Sequence, residues 1–559
     1  MRKTFSLVLL AFALVVTIVL ERADTQAASQ ADASTDTAST IAMHADPGTL
    51  FKTSGNCMPC HNSLISPAGE DVSIGLNWRA TIMANSSRDP YWQAGVRRET
   101  IDHPMAAAAI EDECSICHMP MARATARANG RAGRVFAHLP VNQHDEPEDL
   151  LAHDGVSCTM CHQISSEKLG TRESFVGGFV VAGPQSTPRP IYGPFEIERG
   201  LKTIMRSSSD GFQPTQAPHI RQSELCATCH TLITKALDKQ GQPIGELPEQ
   251  VMFQEWQHSA YASEQRTCQS CHMPAVQTPM PISSVLAQPR EGFSKHVFVG
   301  GNFFVLQMLN RYRQALGVAA LPVELNASAD RTRRNLQEQT ALVSIDAPQV
   351  AGARLTFDVA IQNLTGHKFP TGYPARRSWL HVSVRDRSGR TVFESGRVTQ
   401  AGLIEGNDND ADPLKFEPHY TEIHQPDEVQ IYESVMSDPA GLPTTGLLTA
   451  VRYLKDNRLL PRGFDKTTAD AWIQVVGGAA QDPDFSAGGD RVRYAVDVPT
   501  GAGPYQIDVE LRFQPIGFRW AHNLASYDAP ETSRFVGYYE SMSGISSEVI
   551  THASAAAGR

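Results

Sequence analysis

The stretch SELCATCHTL, residues 223–232, contains two cysteines three positions apart and a histidine directly after the second. The C-x-x-C-H pattern of Cys226, Cys229 and His230 is compatible with a metal knuckle, a redox disulfide or an attachment site for a larger group. The other cysteines of the chain decide between these interpretations.

The same pattern occurs five times and accounts for all ten cysteines, so no cysteine remains for a structural disulfide. A zinc ribbon does not require a histidine next to its cysteine pair, and a thioredoxin-type pair occurs once, on a βαβ unit. Two thiols at this spacing add across the vinyl groups of a haem, and the adjacent histidine becomes the proximal iron ligand. The sequence therefore predicts five covalent c-type haems. The predicted thioether cysteines are Cys57, Cys60, Cys114, Cys117, Cys158, Cys161, Cys226, Cys229, Cys268 and Cys271, and the predicted proximal ligands are His61, His118, His162, His230 and His272.

The chain has 19 histidines, far more than the proximal positions need, and this surplus favours bis-histidine coordination of low-spin iron. The first candidates for distal ligands lie just before a motif or at the end of the motif-rich region; they are His103, His219, His258 and His296. For the remaining haem the candidates are His138, His153 and His367, with Met83, Met119 and Met273 as thioether alternatives. The competing interpretation of each is a surface or core side chain.

The N-terminus predicts export. A basic start, an apolar run from Phe5 to Leu20 and small residues near Ala27 are typical of a signal peptide over residues 1–27. An uncleaved anchor is the alternative, although sixteen residues are short for a bilayer core of about 30 Å. Residues 28–47 predict a flexible leader, and no later stretch is apolar enough to span a membrane. We expect the mature protein in the periplasm or outside the cell.

Hydrophobic patterning predicts an α+β multidomain chain. Residues 48–300 carry the five motifs among short helices and irregular connections, which we expect to be packed around haem. Residues 301–340 have helical periodicity and predict a connector. Residues 341–515 alternate with period two and predict an antiparallel, sandwich-like β domain, interrupted by an insertion over 401–470. Residues 516–559 predict a C-terminal helical segment.

Three features of the β half suggest functions. His367 lies in a loop rich in glycine and proline, NLTGHKFPTGYPARRSW, from which it either ligates an iron or forms a turn hydrogen bond. The run GNDNDADP offers Asp408, Asp410 and Asp412 as calcium ligands, although it lacks the EF-hand glycine and glutamate. His381 alternates with Trp379 on the face away from the core and predicts a surface position.

The chain resembles the exported multihaem cytochromes c, and within them the group that includes the tetrahaem electron acceptor of hydroxylamine oxidoreductase. The resemblance covers residues 48–300 and rests on the five motifs and on the words SRDPYWQAGVRRE, DGVSCTMCHQI, SELCATCHTL, EWQHSAY and TCQSCHMP. Five motifs rather than four are a departure from that group. The C-terminal half is similar to β-rich modules attached to bacterial multihaem cytochromes. Some relatives assemble into extracellular filaments, so self-assembly is an expectation from the resemblance alone.

These observations favour an electron carrier over an enzyme. The net charge of −11 argues against nucleic-acid binding and favours redox partners with a basic docking patch. The alternative function is a multihaem reductase of an oxidised nitrogen or sulfur compound, which needs one iron with an open position. Some multihaem reductases mark that haem with C-x-x-C-K, whereas all five motifs here end in histidine. A third interpretation makes the β half a docking module, which is compatible with a carrier.

Overall fold

The computed structural model describes residues 50–183, 186 and 188–558. The signal peptide and leader predicted for 1–27 and 28–47 lie outside these ranges. Within them, no helix is both long enough and apolar enough to cross a membrane. The helices are α1 (Met58–His61), α2 (Ile74–Arg79), α3 (Pro90–Asp102), α4 (Ala107–His118), α5 (Pro120–Ala128), α6 (Pro147–His153), α7 (Cys158–Gln163), α8 (Arg199–Ser208), α9 (Ser223–Ala227), α10 (Met252–Gln257), α11 (Ala260–Ser263), α12 (Cys268–His272), α13 (Phe303–Arg311), α14 (Pro322–Gln339), α15 (Asp408–Ala411), α16 (Phe518–His522) and α17 (Pro530–Met542).

Most strands follow the motif-rich region. They are β1 (Arg189–Gly193), β2 (Phe212–Gln216), β3 (Leu232–Leu237), β4 (Pro243–Gln250), β5 (Ala341–Ala351), β6 (Arg354–Asn363), β7 (Arg377–Arg385), β8 (Thr391–Ser395), β9 (Glu422–Ile423), β10 (Ile431–Tyr432), β11 (Ser434–Ser437), β12 (Pro443–Thr444), β13 (Arg452–Asp456), β14 (Gly489–Asp497), β15 (Tyr505–Gln514) and β16 (Glu548–Ala557). Helices and several antiparallel sheets therefore share the chain, which is a mixed α+β protein.

Each cysteine motif lies on or beside a short helix. Helices α4 and α12 end at the motif histidine, and α7 begins at the first motif cysteine. Positions i, i+3 and i+4 of a helical turn lie on one face, so both cysteines and the histidine point the same way. This local geometry allows one ring to be held by two thiols and one imidazole.

Besides a three-stranded sheet of order β12-β11-β13, two larger sheets form the β-rich half. One has the order β10-β7-β15-β16, with β8 also paired to β7, and the other has the order β5-β6-β14-β9. Alternate residues of β6, β7, β14 and β15 are buried in one shared core, as in a sandwich. Phe393 packs edge-on against Tyr494 with ring centres 6.3 Å apart, which joins β8 of one sheet to β14 of the other.

The segment over 301–340 is part of this core. Helix α13 buries Phe303, Phe304 and Leu309 in the same cluster as the β-strands, and Leu325 and Leu336 of α14 join them. The cluster also includes residues of the motif-rich region. Because one continuous core serves both halves, the helices rigidly fix the sandwich against the cysteine motifs.

Two sequence expectations differ from the structure in the insertion. Trp379 is fully buried, because Ile404, Val429 and Ile431 of the insertion cover the outer face of β7. The predicted calcium ligands do not converge. Both oxygens of Asp410 accept hydrogen bonds from the Arg377 guanidinium, each at 2.8 Å, in a buried pair. This guanidinium supplies the positive charge that a calcium ion would have brought.

The C-terminal segment also differs from the expected helical fold. Helices α16 and α17 lie within it, but residues 548–557 form β16, which pairs along the full length of β15. The small residues THASAAA alternate in exposure and leave space for a strand at the sheet edge. Hydrogen bonding to the otherwise unpaired edge of β15 favours the extended conformation of residues 548–557 over a helix.

His381 lies half-buried on the sandwich, with Nδ1 3.2 Å from Glu510 and Nε2 3.1 Å from Glu394. Burial acts to lower the pKa of His381, but the two carboxylates raise it above its ordinary 6.5. The hydrogen bond from His381 is in turn the main reason that the pKa of Glu510 falls to about 2.

The histidine therefore stabilises the fold fully below about pH 6.5, and this contribution is lost as the pH rises through its folded-state pKa. We expect a loss of less than about 1 kcal/mol because the pair is partly exposed. Denaturant unfolding of the wild type and His381→Gln at several pH values measures it; His258→Gln is the control, and equal pH profiles would contradict the assignment.

Candidate functional site

All five cysteine motifs line one cavity of about 1730 Å³ in the motif-rich half. Every motif cysteine and every motif histidine contributes to its wall. None of the ten cysteines forms a disulfide. The walls are mostly apolar, which suits burial of porphyrin rings. The residues present therefore fit the covalent haems that the sequence predicts.

Four of the motif histidines have a fixed ring orientation. Nδ1 of each donates to a backbone carbonyl: His61 to Ile282 at 2.7 Å, His118 to Ser86 at 3.0 Å, His162 to Tyr192 at 2.6 Å, and His272 to Val299. A hydrogen bond of this kind fixes the tautomer and leaves Nε2 for a metal. These four rings are thus prepared to ligate iron through Nε2.

Two further histidines face motif histidines across the cavity. The ring centres of His162 and His296 are 6.3 Å apart with planes 20° apart, and those of His272 and His367 are 6.3 Å apart with planes 13° apart. An imidazole centre lies about 1.1 Å from its nitrogen and a metal–imidazole bond is about 2.0 Å, so rings on opposite sides of one iron have centres about 6 Å apart. Both pairs have the spacing of bis-histidine coordination.

The two facing histidines also donate through Nδ1, His296 to the Ser294 carbonyl at 3.0 Å and His367 to the Lys368 carbonyl at 2.8 Å. Burial lowers the pKa of His296 to about 3 and that of His118 to about 4. Neutral imidazole is the form that binds metals. Protons therefore do not compete with a metal for these nitrogens near neutral pH.

A buried ionic network holds the loop that carries His367. Lys368 Nζ donates to Asp456 at 2.7 Å, and Arg458 binds Asp456 through two hydrogen bonds of 2.8 Å. Glu255 on α10 pairs with Arg458 at 2.8 Å and accepts from the Thr371 hydroxyl at 2.6 Å. Two acids and two bases balance in charge. The network joins the loop to the motif-rich region and so positions His367.

The structure does not bring the other five distal candidates to the cavity. Each has a ring nitrogen bonded to a protein atom: His103 to the Asp238 carbonyl at 3.3 Å, His138 to Asp149 at 2.5 Å, His153 to the His138 carbonyl at 2.7 Å, His219 to the Ile164 carbonyl at 2.8 Å and His258 to the Asp465 carbonyl at 2.9 Å. Such a bond does not separate them from His296 and His367, whose rings also bond protein atoms; the difference is that those two belong to the cavity wall. Among the methionine alternatives, Met83 and Met273 line the cavity, whereas Met119 is buried in the core beside it.

Contacts between motif cysteines show which motifs are neighbours. Cys57 contacts Cys158, Cys117 contacts Cys229, and Cys226 contacts Cys268. Cys161 is close enough to Cys226 and Cys229 to act on both electrostatically. The first motif therefore neighbours the third, and the fourth neighbours the second, third and fifth. The spatial order is branched, with the fourth motif at the junction.

Sequence reasoning missed several residues around the second motif. Trp92 on α3 stacks on the His118 ring with centres 4.3 Å apart and planes 3° apart. Glu99 and Glu249 line the cavity and act on Cys114, and burial raises the pKa of Glu249 to about 7. The sequence did contain a signal for these residues. Asp89 caps a helix that begins at Pro90, and at that register Trp92, Val96 and Glu99 lie on one face of α3.

Arg376 was also missed. Its guanidinium lines the cavity, Nη1 donates to the Thr371 carbonyl at 2.8 Å, and burial lowers its pKa to about 10. Within the described chain it has no ion pair with a carboxylate. Gly372 makes this approach possible, since a Cβ there would lie 3.0 Å from Nη1 of Arg376 and its φ of +85° suits glycine.

A second cluster of metal-type ligands lies in the sandwich. Ligand atoms of His419, Asp482 and Asp490 lie within 4.8 Å of one another. His419 Nε2 donates to Asp482 at 3.0 Å, its Nδ1 accepts from Gln430, and Asp490 accepts from the Tyr432 hydroxyl at 2.7 Å. These hydrogen bonds satisfy the cluster, which is a buried polar network.

No protein-family model matches this chain, and no curated protein matches it in sequence. A solved structure has a similar fold, the penta-haem cytochrome c552 from Thermochromatium tepidum, at 15% sequence identity and a TM-score of 0.51. The likeness covers 91% of this chain and 100% of that chain. The fold of this chain is therefore similar to that of a penta-haem cytochrome c.

Proposed function

We propose that the chain transfers electrons through five covalently bound c-type haems, in the periplasm or outside the cell. The observation that carries this proposal is the convergence of all five motifs on one cavity, with two histidine pairs spaced for one iron each. Each haem, when bound, supplies an iron that cycles between the ferric and ferrous states and exchanges one electron with a neighbour. We also propose that the chain is related to the group that includes the tetrahaem electron acceptor of hydroxylamine oxidoreductase.

The chain's own residues supply attachment, orientation and exclusion of water. The cysteines would hold the haems close to one another, since three pairs of motifs contact one another through their cysteines. The carbonyl acceptors of Ile282, Ser86, Tyr192 and Val299 keep the imidazoles in one orientation. Fixed ligands reduce the structural change that accompanies a change in iron charge, which suits electron transfer. The net charge of −11 favours a partner with a basic surface.

Expression with a cytochrome c maturation system tests the proposal. We expect a pyridine haemochrome assay and intact-mass measurement to give five haems per chain, and the dithionite-reduced protein to return five electrons to ferricyanide. Substituting both cysteines of one motif with alanine should remove one haem from this count. Fewer than five haems in the wild type, or haems that ferricyanide does not reoxidise, would contradict the proposal.

One observation favours a second candidate, reduction of an oxidised nitrogen or sulfur compound. Among the described histidines that line the cavity, none faces His61, His118 or His230 at the spacing of the two pairs. An iron without a second strong ligand can bind substrate. Carbon monoxide added to the reduced protein should then shift the Soret band, and nitrite, hydroxylamine or sulfite should reoxidise it catalytically. A carbon monoxide shift without turnover would contradict the reductase function and leave electron transfer as the proposed function.

A further inference from the structure

The second and fourth motifs are neighbours with different electrostatic surroundings. Cys117 and Cys229 are close enough to act on each other, so groups held by these motifs would be neighbours. Three carboxylates act on Cys114 of the second motif, those of Glu99, Glu249 and Glu113. The fourth motif has one such carboxylate, that of Glu224, which acts on Cys226, and the guanidinium of Arg376 acts on His230.

The acids near the second motif are buried and only partly compensated. Glu249 is 5% exposed and accepts from the Thr234 hydroxyl at 2.5 Å and from Gln250 at 3.3 Å, neither of which is charged. Glu99 is 4% exposed and accepts from the Leu447 amide at 2.8 Å, with Arg98 as a neighbouring cation. The other ionisable groups facing Glu249 are tyrosines: Tyr91, Tyr373 and Tyr453. Negative charge in a buried setting disfavours addition of an electron nearby.

The fourth motif has two features that act in the opposite direction. Arg376 brings a positive charge into the cavity without a carboxylate partner, and this favours addition of an electron. It acts on His230 of the fourth motif and also on His367, which faces the fifth motif, so the second feature distinguishes the fourth. His230 is the motif histidine whose ring makes no hydrogen bond in the described chain, while the other four donate Nδ1–H to carbonyls. Such a bond makes an imidazole a stronger donor and so favours ferric iron; without it the ferrous state is favoured.

We propose that the fourth haem has the highest reduction potential of the five and the second haem the lowest, so that an electron entering at the second motif passes to the fourth. This inference rests on the proposed function. The step is the transfer of one electron, which oxidises the second iron from ferrous to ferric and reduces the fourth from ferric to ferrous. The second iron is first reduced by an external one-electron donor protein. The fourth motif, at the junction, then serves the third and fifth motifs.

A spectroelectrochemical titration of the haem-loaded protein at about pH 8.5, where Glu249 is ionised, tests both ends of the order. In Arg376→Gln the first haem to be reduced should shift to lower potential, and Arg376→Lys should leave it unchanged. Arg290→Gln is the matched control, because Arg290 lines the same cavity but is paired with Glu198 at 2.7 Å. An unchanged first transition in Arg376→Gln would overturn the assignment of the fourth haem.

Glu249→Gln should raise the potential of the last haem to be reduced. Glu246→Gln, on the same strand and exposed, should leave all transitions unchanged. A shift in an earlier transition instead would overturn the assignment of the second haem. If Arg376→Gln does not load five haems, electron paramagnetic resonance of the partly reduced wild type tests the assignment of the fourth haem instead. The first signal lost must then differ from those of the two bis-histidine haems, which His296→Ala and His367→Ala identify. Failure of the proposed function itself would appear earlier, as a low haem count.

Discussion

Replacing His367 with alanine is expected to convert one low-spin haem into a high-spin haem that binds carbon monoxide. His367 faces His272 with ring centres 6.3 Å apart, and the described structure places no other histidine opposite His272. His296→Ala should do the same at the third motif, because His296 faces His162 at the same spacing. The double variant should gain two such haems, since the two pairs are separate.

The measurement is the electronic and electron paramagnetic resonance spectrum of each variant, with and without carbon monoxide, at equal haem content. His258→Ala is the matched control, because His258 was a distal candidate from the sequence but bonds the Asp465 carbonyl at 2.9 Å. Its spectrum should equal that of the wild type. A new high-spin haem in the control, or none in His367→Ala, would mean that the ligand assignment is incorrect.

Asp456→Ala is expected to destabilise the fold by about 3–5 kcal/mol, because it leaves two buried cations without their shared anion. Asp456 binds both Lys368 and Arg458, and all three side chains are at most 9% exposed. These cations hold down the pKa of Asp456 and keep its carboxylate ionised. The variant should also loosen the loop of His367, since Lys368 is the next residue.

Denaturant unfolding of the haem-loaded protein gives the change in the free energy of unfolding. Asp497→Ala is the matched control: Asp497 pairs with Arg354 at 2.8 Å, but its side chain is 79% exposed. Its loss should cost less than about 1 kcal/mol. Equal effects of the two substitutions would show that the buried network does not stabilise the fold.

The sequence predicted covalent haem attachment at five motifs and a mixed α+β chain, and the structure shows the mixed fold. The five motifs are local patterns, and the structure places all of them on one cavity. The change to period-two alternation after residue 340 coincides with the start of β5 at Ala341. The sequence named His296 because it closes the motif-rich region and His367 because it lies on a loop rich in glycine and proline, and each ring faces a motif histidine.

Other features were not predictable because they depend on contacts between distant parts of the chain. His296 belongs to the cavity wall and the other candidates do not, yet no local pattern distinguishes it from them; they are His103, His138, His153, His219 and His258. Trp379 alternates like a surface residue, yet the insertion covers it. The strand β16 forms because β15 offers a free edge.

The sequence by itself determined the pattern of groups offered for haem attachment, because two thiols and an imidazole at positions i, i+3 and i+4 meet on one helical turn without help from the rest of the fold. Only the tertiary structure decided which motifs are neighbours, which histidine faces each of two motifs, and where buried charge lies. Those properties come from packing between residues more than a hundred positions apart in places, as for His162 opposite His296. Packing of that range leaves no periodic signal in a sequence.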